Sequence, residues 1–183
     1  MALFNMRELR GRLRPGERLV GIDPGARRIG LALSDVRLSL ASPYGTLRRG
    51  KLRHNAAEIA AIAAKEGAGG LVVGWPLSMD GSIGPAAQAA RDWAGALSEA
   101  AGLPAALWDE RLSTSAVNRF LIEEADLSRA RRAQVVDRMA AAWILQAALD
   151  ATVPPNPSPG GGVRLSPPPH DARPTDPKRT GKL

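Results

Sequence analysis

The segment RLVGIDPGARRIGLALSD, residues 18–35, decides how this 183-residue chain folds. It contains two short apolar runs separated by Pro24 and Gly25, a pattern that predicts two antiparallel strands joined by a tight turn. Pro fixes φ and Gly accepts positive φ, so the pair suits the central positions of a type II turn. Asp23 closes the first strand, and its carboxylate is therefore predicted to stand at one edge of the sheet.

Beyond this hairpin the apolar pattern predicts alternating strands and helices. We expect strands near 41–47, 70–74 and 105–108, and helices near 55–66, 85–101, 113–123 and 133–149, with a charged loop at 123–132. Three meandering strands followed by this alternation predict an α/β fold. Its mixed five-stranded sheet has three antiparallel strands first and parallel strands afterwards, and helices flank it.

The two ends of the chain differ in composition from the middle. Residues 151–183 hold nine of the fifteen prolines and a run of three glycines, with few large apolar residues. Such a segment cannot bury enough apolar surface to offset its ordering entropy, so it is predicted to be a disordered basic tail. Residues 1–17 are predicted to be a basic lead-in, which leaves 18–150 as the folded domain.

Composition limits the chemistry. The chain has no cysteine and two histidines, which excludes disulfides, thiolate sites and zinc sites built from several histidines. A bound metal would then be a hard, oxygen-liganded cation such as Mg²⁺ or Mn²⁺. The basic N-terminus lacks the continuous apolar region of a signal peptide, and no apolar run reaches the ~20 residues that span a bilayer. We therefore expect a cytoplasmic protein that does not associate with membranes.

The charge favours a polyanionic partner, nucleic acid first. The net charge is +7; five Lys/Arg and two Asp lie in residues 151–183, so residues 1–150 carry +4. Arg27, Arg28 and Arg111 are candidate phosphate contacts, with solvated surface charge as the alternative for each. Arg111 is the strongest of them because it adjoins a candidate ligand, Glu110.

Three carboxylates stand where the predicted fold could gather them. Asp23 and Glu110 follow strands, at the end where open α/β sheets place their sites, and Asp137 lies in the final helix that would pack across the same sheet. Taken alone, each is better explained as a turn opener or a surface acid. Together they would repel one another unless cations compensate them, and Mg²⁺ prefers such oxygen ligands. Two such ions can promote in-line displacement at phosphorus.

Four ordered blocks carry a resemblance to a known family: GIDPGARRIGLALSD (21–35), VGWPLSMDGS (73–82), DERLST (109–114) and DRMAAAWILQ (137–146). Together they resemble the YqgF/RuvX family, which has an RNase H-like fold and is associated with nuclease processing of pre-16S ribosomal RNA and, by fold, with Holliday junction resolvases. The resemblance implies that Asp23, Glu110 and Asp137 are the catalytic acids and metal ligands of an endonuclease. The expected substrate is structured pre-ribosomal RNA or an assembling small ribosomal subunit.

The sequence also departs from related resolvases, which carry a second acid three residues after the helix acid; here that residue is Ala140. Asp35 is one candidate for a further metal ligand, and it is equally a candidate for bonding its own turn.

Three other functions remain open at this point. A DNA junction resolvase would use the same chemistry on another substrate. An actin-like or sugar-kinase-like phosphotransferase also begins with a strand, an Asp and a Gly turn, but it needs two such domains. A catalytically silent binding module in ribosome assembly or transcription has no reason to gather negative charge beside a polyanion.

Overall fold

The computed structural model describes residues 3–112 and 129–153. The elements, in chain order, are β1 (Leu3–Phe4), α1 (Met6–Arg12), β2 (Arg18–Asp23), β3 (Arg28–Ser34), β4 (Ala41–Arg48), α2 (Leu52–Glu66), β5 (Ala68–Trp75), α3 (Pro85–Ala101), β6 (Ala105–Asp109), a 3₁₀ turn (Glu110–Leu112) and α4 (Arg129–Asp150). Within these ranges no helix is both long enough and apolar enough to cross a membrane.

One mixed sheet, in the order β1-β6-β5-β2-β3-β4, organises the domain. Strands β2, β3 and β4 are antiparallel neighbours, whereas β5 and β6 run parallel to β2. All five predicted strands are present, and their order and directions confirm the RNase H-like prediction. The predicted strand count was one too low, because Leu3–Phe4 adds a sixth, parallel strand beside Ala105–Ala106. Two residues are too few to show the alternation of apolar and polar side chains by which a strand is recognised in sequence, so β1 was not predicted.

Helices cover both faces of the sheet. Helix α4 packs on one face, where its buried residues Ala141 and Leu145 join Leu19 and Val72 in one apolar cluster. Helices α2 and α3 cover the other face around a second cluster that includes Ile22. Because successive strand residues alternate between faces, β2 contributes Leu19, Gly21 and Asp23 to the α4 side.

Two helices begin earlier than predicted. Helix α2 starts at Leu52 rather than near Asn55, because the fully buried Asn55 amide bonds the loop before it: its oxygen accepts from the Gly50 amide and its nitrogen donates to the Arg48 carbonyl. Helix α4 starts at Arg129, so residues 129–132 of the predicted loop are helical. The predicted helix at 113–123 and the rest of that loop lie outside the described residues, as does the predicted tail from residue 154.

The turn after Asp23 differs from the predicted type II turn. Gly25 is not among the glycines with positive φ, and its amide donates to the Asp23 carbonyl at 2.9 Å across a three-residue turn. A Cβ at Gly25 would overlap the carbonyl oxygen of Arg28. Glycine is therefore needed here for close backbone approach and not for a left-handed conformation.

Asp35 bonds its own turn at the edge of the sheet opposite to Asp23. Its carboxylate accepts hydrogen bonds from the Ser39 amide (2.7 Å), the Ser39 hydroxyl (2.8 Å) and the Leu40 amide (3.0 Å). These bonds, first that of the Leu40 amide, lower the pKa of Asp35 to about 2. Strand β3 runs antiparallel to β2, so its last residues lie far along the sheet from Asp23. Asp35 is a structural residue and not a further metal ligand.

The depressed pKa predicts a pH-dependent contribution to stability. Charged Asp35 stabilises the turn above its ordinary pKa of 3.8, and that contribution is lost as pH falls toward 2. We expect Asp35→Asn to lower Tm at pH 7 by roughly 2–4 °C, a modest shift because the carboxylate is solvent-screened. The difference from the wild type should shrink between pH 4 and pH 2. Tm curves that stay parallel over that interval would contradict this assignment.

Candidate active site

Asp23 is a buried acid at the carboxyl end of β2. Its exposure is 6%, and Gly30 lies opposite it on β3. A Cβ at Gly21, two residues earlier on the same face, would come within 2.7 Å of the Leu145 Cβ of α4. Asp23 therefore points to the α4 side of the sheet, toward the helix that carries Asp137.

Glycines leave the space in which the site is built. A Cβ at Gly74, on the neighbouring strand β5, would lie 2.6 Å from Oε1 of Glu110 and 2.8 Å from Cδ1 of Ile144. A Cβ at Gly30 would overlap the backbone carbonyl of Asp137. Bare backbone at these two positions thus admits the Glu110 carboxylate on one side of Asp23 and the early part of α4 on the other.

Asp23 and Glu110 line one open cleft of about 370 Å³ at the carboxyl ends of the strands. The other residues that line it come from the turn after β2, from α3 and from the ends of β4 and β5: Pro24, Gly25, Ala26, Arg49, Pro76, Ala86, Ala89 and Ala90. The cleft thus brings together two of the three predicted acids, from strands that are separate in sequence.

Asp137 lies beside this cleft without lining it. Its Oδ2 accepts a 2.8 Å hydrogen bond from Nε of Arg28, in an ion pair whose side chains are 26% and 34% exposed. Arg28 is one of the candidate phosphate contacts, and in the structure its guanidinium pairs with the third predicted acid. This pair neutralises one of the three carboxylates, which lowers the repulsion that gathering them would cause.

The donor set fits a hard divalent cation. Among the side chains that the structure describes, no three acidic or histidine side chains form a ready-made metal cluster. Mg²⁺ is commonly held by one or two carboxylates, with water and substrate oxygens completing its shell. Asp23 and Glu110 supply such a pair in a cleft with room for water and phosphate.

Arg111 is held by the protein. Its guanidinium pairs with Asp109 at 2.6 Å, and its Nη1 donates to the Met79 carbonyl at 3.3 Å. The pairing lowers the pKa of Asp109, chiefly through the hydrogen bonds from the Arg111 side chain. Arg111 therefore ties the end of β6 to the loop after β5, whose tip residue Met79 is 90% exposed. Arg27, the remaining predicted cation, is exposed to solvent.

Arg49 is a site residue that the sequence analysis missed. Its Nη1 donates to the carbonyls of Pro24 and Gly25, both at 3.0 Å, and its guanidinium stacks 4.6 Å above the ring of Trp93 on α3. Its main-chain amide also donates to the Arg27 carbonyl. These contacts fix the turn that follows Asp23. In the sequence, the only hint of this role is that Arg48 and Arg49 stand together at the end of a predicted strand.

The Arg28–Asp137 ion pair predicts that magnesium binding and thermal stability are linked. We expect Arg28→Gln to lower Tm in EDTA by roughly 2–4 °C, because Asp137 loses its counter-charge, and to increase the apparent affinity for Mg²⁺. Thermal denaturation over a magnesium titration measures both effects, with Arg27→Gln at the exposed neighbour as the matched control. A Tm loss that is independent of magnesium would mean that the pair is only structural.

The family comparison agrees with the four sequence blocks. The family described as "RuvX: Holliday junction resolvase" matches residues 17–151, most of the chain. The chain belongs to the RuvX family. Two relatives named "Putative pre-16S rRNA nuclease" are similar over nearly their whole lengths. The protein of Gluconacetobacter diazotrophicus is 68% identical over 83% of this chain and 99% of its own, and that of Gluconobacter oxydans is 60% identical over 86% and 98%.

The RuvX match runs from one residue before β2 to one residue after α4. It therefore contains the cleft, Asp137 and Arg49, while β1 and α1 lie outside it. Among solved structures, the RuvC of Thermus thermophilus in complex with Holliday junction substrate is 16% identical, with a TM-score of 0.48, over 74% of this chain and 94% of that one. At that distance the likeness carries no functional weight.

Proposed function

We propose that this RuvX chain is a divalent-metal-dependent endonuclease that matures the 5′ end of pre-16S ribosomal RNA. The observation that carries the proposal is the shared cleft of Asp23 and Glu110, two acids from separate strands at the end of the sheet where α/β folds place their sites. A purely structural role would not require two carboxylates to line the same open cleft, where each raises the electrostatic cost of the other.

The enzyme class follows from the family. The family's description and the relatives' names both denote nucleases, so the predicted class, a hydrolase acting on phosphodiester bonds, is confirmed. The two descriptions differ in substrate, DNA junction or precursor RNA. We take RNA as the substrate because the relatives named for pre-16S ribosomal RNA match this chain at 60–68% identity.

The site residues have separate tasks in this proposal. Asp23, Glu110 and Asp137 are the proposed catalytic acids, and they would hold Mg²⁺ or Mn²⁺. The bound cation would supply the positive charge that activates water and stabilises the leaving oxygen at phosphorus. Release of Asp137 from Arg28 would free that guanidinium for a phosphate oxygen, which reconciles the observed ion pair with the predicted phosphate contact.

Other cations would position the substrate. Arg27 is exposed beside the turn after Asp23 and is a proposed phosphate contact. Arg111 acts indirectly, because it holds the loop around Met79 over the same edge of the sheet. The proposed partner is structured precursor RNA or an assembling small ribosomal subunit in the cytoplasm. Residues 18–150 are proposed to form the nuclease domain and 151–183 a basic tail.

Purified protein tests the proposal on two substrates. A 5′-extended pre-16S RNA and a four-way DNA junction are incubated with Mg²⁺, Mn²⁺ or EDTA, with the wild type and with Glu110→Gln. We expect RNA cleavage that requires the metal and is lost in the variant. Cleavage of the junction alone would favour the resolvase reading. If well-folded protein binds RNA but cuts neither RNA nor an assembling ribosomal particle, the chain is a binding module.

A further inference from the structure

Four basic side chains are exposed beside the candidate active site: Arg27 in the turn before β3, Arg48 at the end of β4, and Lys51 and Arg53 where α2 begins. Arg28 pairs with Arg48 across the sheet, so the end of β4 lies at the same edge as Asp23. Neighbouring strands are about 4.8 Å apart, which puts the β4 strand roughly 10 Å from the Asp23 strand.

These cations lack counter-charges within the described ranges. No ion pair joins Arg27, Arg48, Lys51 or Arg53 to another described residue. The acid nearest along the helix, Glu58, contacts His54 at 3.6 Å and accepts a hydrogen bond from the Asn55 amide. At the opposite end of the strands, Arg18 by contrast pairs with Glu66 at 3.8 Å.

The start of α2 adds to this positive field. Its N-cap is Lys51, which makes no side-chain capping bond, and its first turn contains no acidic residue. Cations at a helix N-terminus oppose the helix dipole, whereas an anion there is favourable. The local charge arrangement is thus unfavourable in the protein alone and becomes favourable when an anion covers it.

We propose that Arg48, Lys51 and Arg53, together with Arg27, form a β4–α2 surface that binds the phosphate backbone of the RNA substrate next to the cleavage site. This rests on the proposed function and adds the direction from which the RNA approaches: past the start of β3 and the end of β4, at the end of the sheet where Asp23 lies. A separation of roughly 10 Å corresponds to about three base-pair steps of duplex, so the surface engages the helix flanking the cut. Backbone contacts of this kind position the substrate without reading its sequence.

The test measures binding in EDTA, where no cutting occurs. The probe is an RNA hairpin with a 5′ single-stranded extension, and its affinity is measured by fluorescence anisotropy from 50 to 300 mM KCl. The variant R48Q/K51Q/R53Q removes three positive charges from the surface. Its matched control, R7Q/R12Q/R14Q, removes three exposed charges near the opposite end of the strands: Arg7 and Arg12 of α1, and Arg14 two residues after it.

Each phosphate contact contributes about 0.7–0.9 to the slope of log affinity against log salt. We expect the β4–α2 variant to reduce that slope by about two and to weaken binding about 100-fold at 0.1 M salt. The control should change the slope by less than about 0.5, and R48K/R53K, which keeps the charges, should retain the wild-type slope. Equal slopes for the two triple variants would overturn the proposal.

Failure of the nuclease proposal would look different. If the wild-type protein binds the hairpin with the expected salt dependence but never cuts RNA, the nuclease proposal is contradicted and the proposed β4–α2 surface still stands. Conversely, if RNA is cleaved normally and the β4–α2 variant has the wild-type salt dependence, the nuclease proposal stands and the proposed binding surface is contradicted. Circular dichroism of each variant verifies that the binding data come from folded protein.

Discussion

Asp23→Asn should reduce the rate of RNA cleavage by on the order of 10³-fold, equivalent to about 4 kcal/mol of transition-state stabilisation. The substitution keeps the size of the side chain at a position only 6% exposed, but it removes one of the two carboxylate charges that line the cleft. Metal affinity and catalysis should therefore fall together. Single-turnover cleavage across a titration of Mg²⁺ separates the two, because only the metal-binding part is recovered at high concentration.

Asp92→Asn is the matched control for this experiment. Asp92 lies exposed on α3 and accepts a hydrogen bond from Gln88, an interaction that an Asn side chain also makes. We expect cleavage by this variant to equal that of the wild type. Full activity of a folded Asp23→Asn protein would argue against catalysis by this acid and in favour of a binding module.

Gly30→Ala should be among the most destabilising single-atom additions to the fold. Its Cβ would overlap the backbone carbonyl of Asp137, and backbone cannot rotate away as a flexible side chain can. Overpacking typically costs about 1–3 kcal/mol, and overlap with backbone places this change at the upper end of that range. In a chain of this size that corresponds to a Tm lower by on the order of 10 °C. Because α4 carries Asp137, any relief of the clash also displaces the proposed acid.

Gly45→Ala provides the comparison on the adjacent strand. Gly45 pairs with Leu31 in the same hairpin, but a Cβ there meets nothing within 4 Å. Its Tm should stay within a few degrees of the wild type, or rise slightly as the unfolded chain loses entropy. Similar Tm losses for the two variants would show that general strand propensity, and not the contact with α4, explains the effect.

The sequence predicted the sheet well because its signals are local. The β2–β3 hairpin follows from two apolar runs around Pro24-Gly25, and the buried strand β5 follows from its uniformly apolar run. The strand β1 was missed because two residues have no period, and its stability comes from pairing with Ala105 and Ala106, a hundred residues away. The prediction of a type II turn was wrong because Gly25 is required for a different reason: a Cβ there would overlap the Arg28 carbonyl of the next strand.

For the candidate site, the sequence placed the acids more accurately than it predicted which side chains they and the nearby arginines contact. Sequence position brought Asp23 and Glu110 to one edge of the sheet, and both line the cleft. Sequence could not tell whether a neighbouring cation contacts phosphate, solvent or a protein acid, so the ion pairs of Arg28 with Asp137 and of Arg111 with Asp109 were not predicted. Arg49 escaped notice because its partners are main-chain carbonyls 24 and 25 residues earlier, which leave no side-chain pattern.

The bare backbone at Gly21, Gly30 and Gly74 also limits how this enzyme can diversify. These three positions lie around Asp23 on the α4 face, and at each a Cβ would meet α4 or Glu110. At Gly21 and Gly30 the overlap is with the backbone or the Cβ of α4, which excludes a side chain, and at Gly74 a Cβ would displace the Glu110 carboxylate. We therefore expect selection for a new substrate, in nature or in the laboratory, to act on exposed residues such as Met79 and Arg27, while the proposed acids keep their positions.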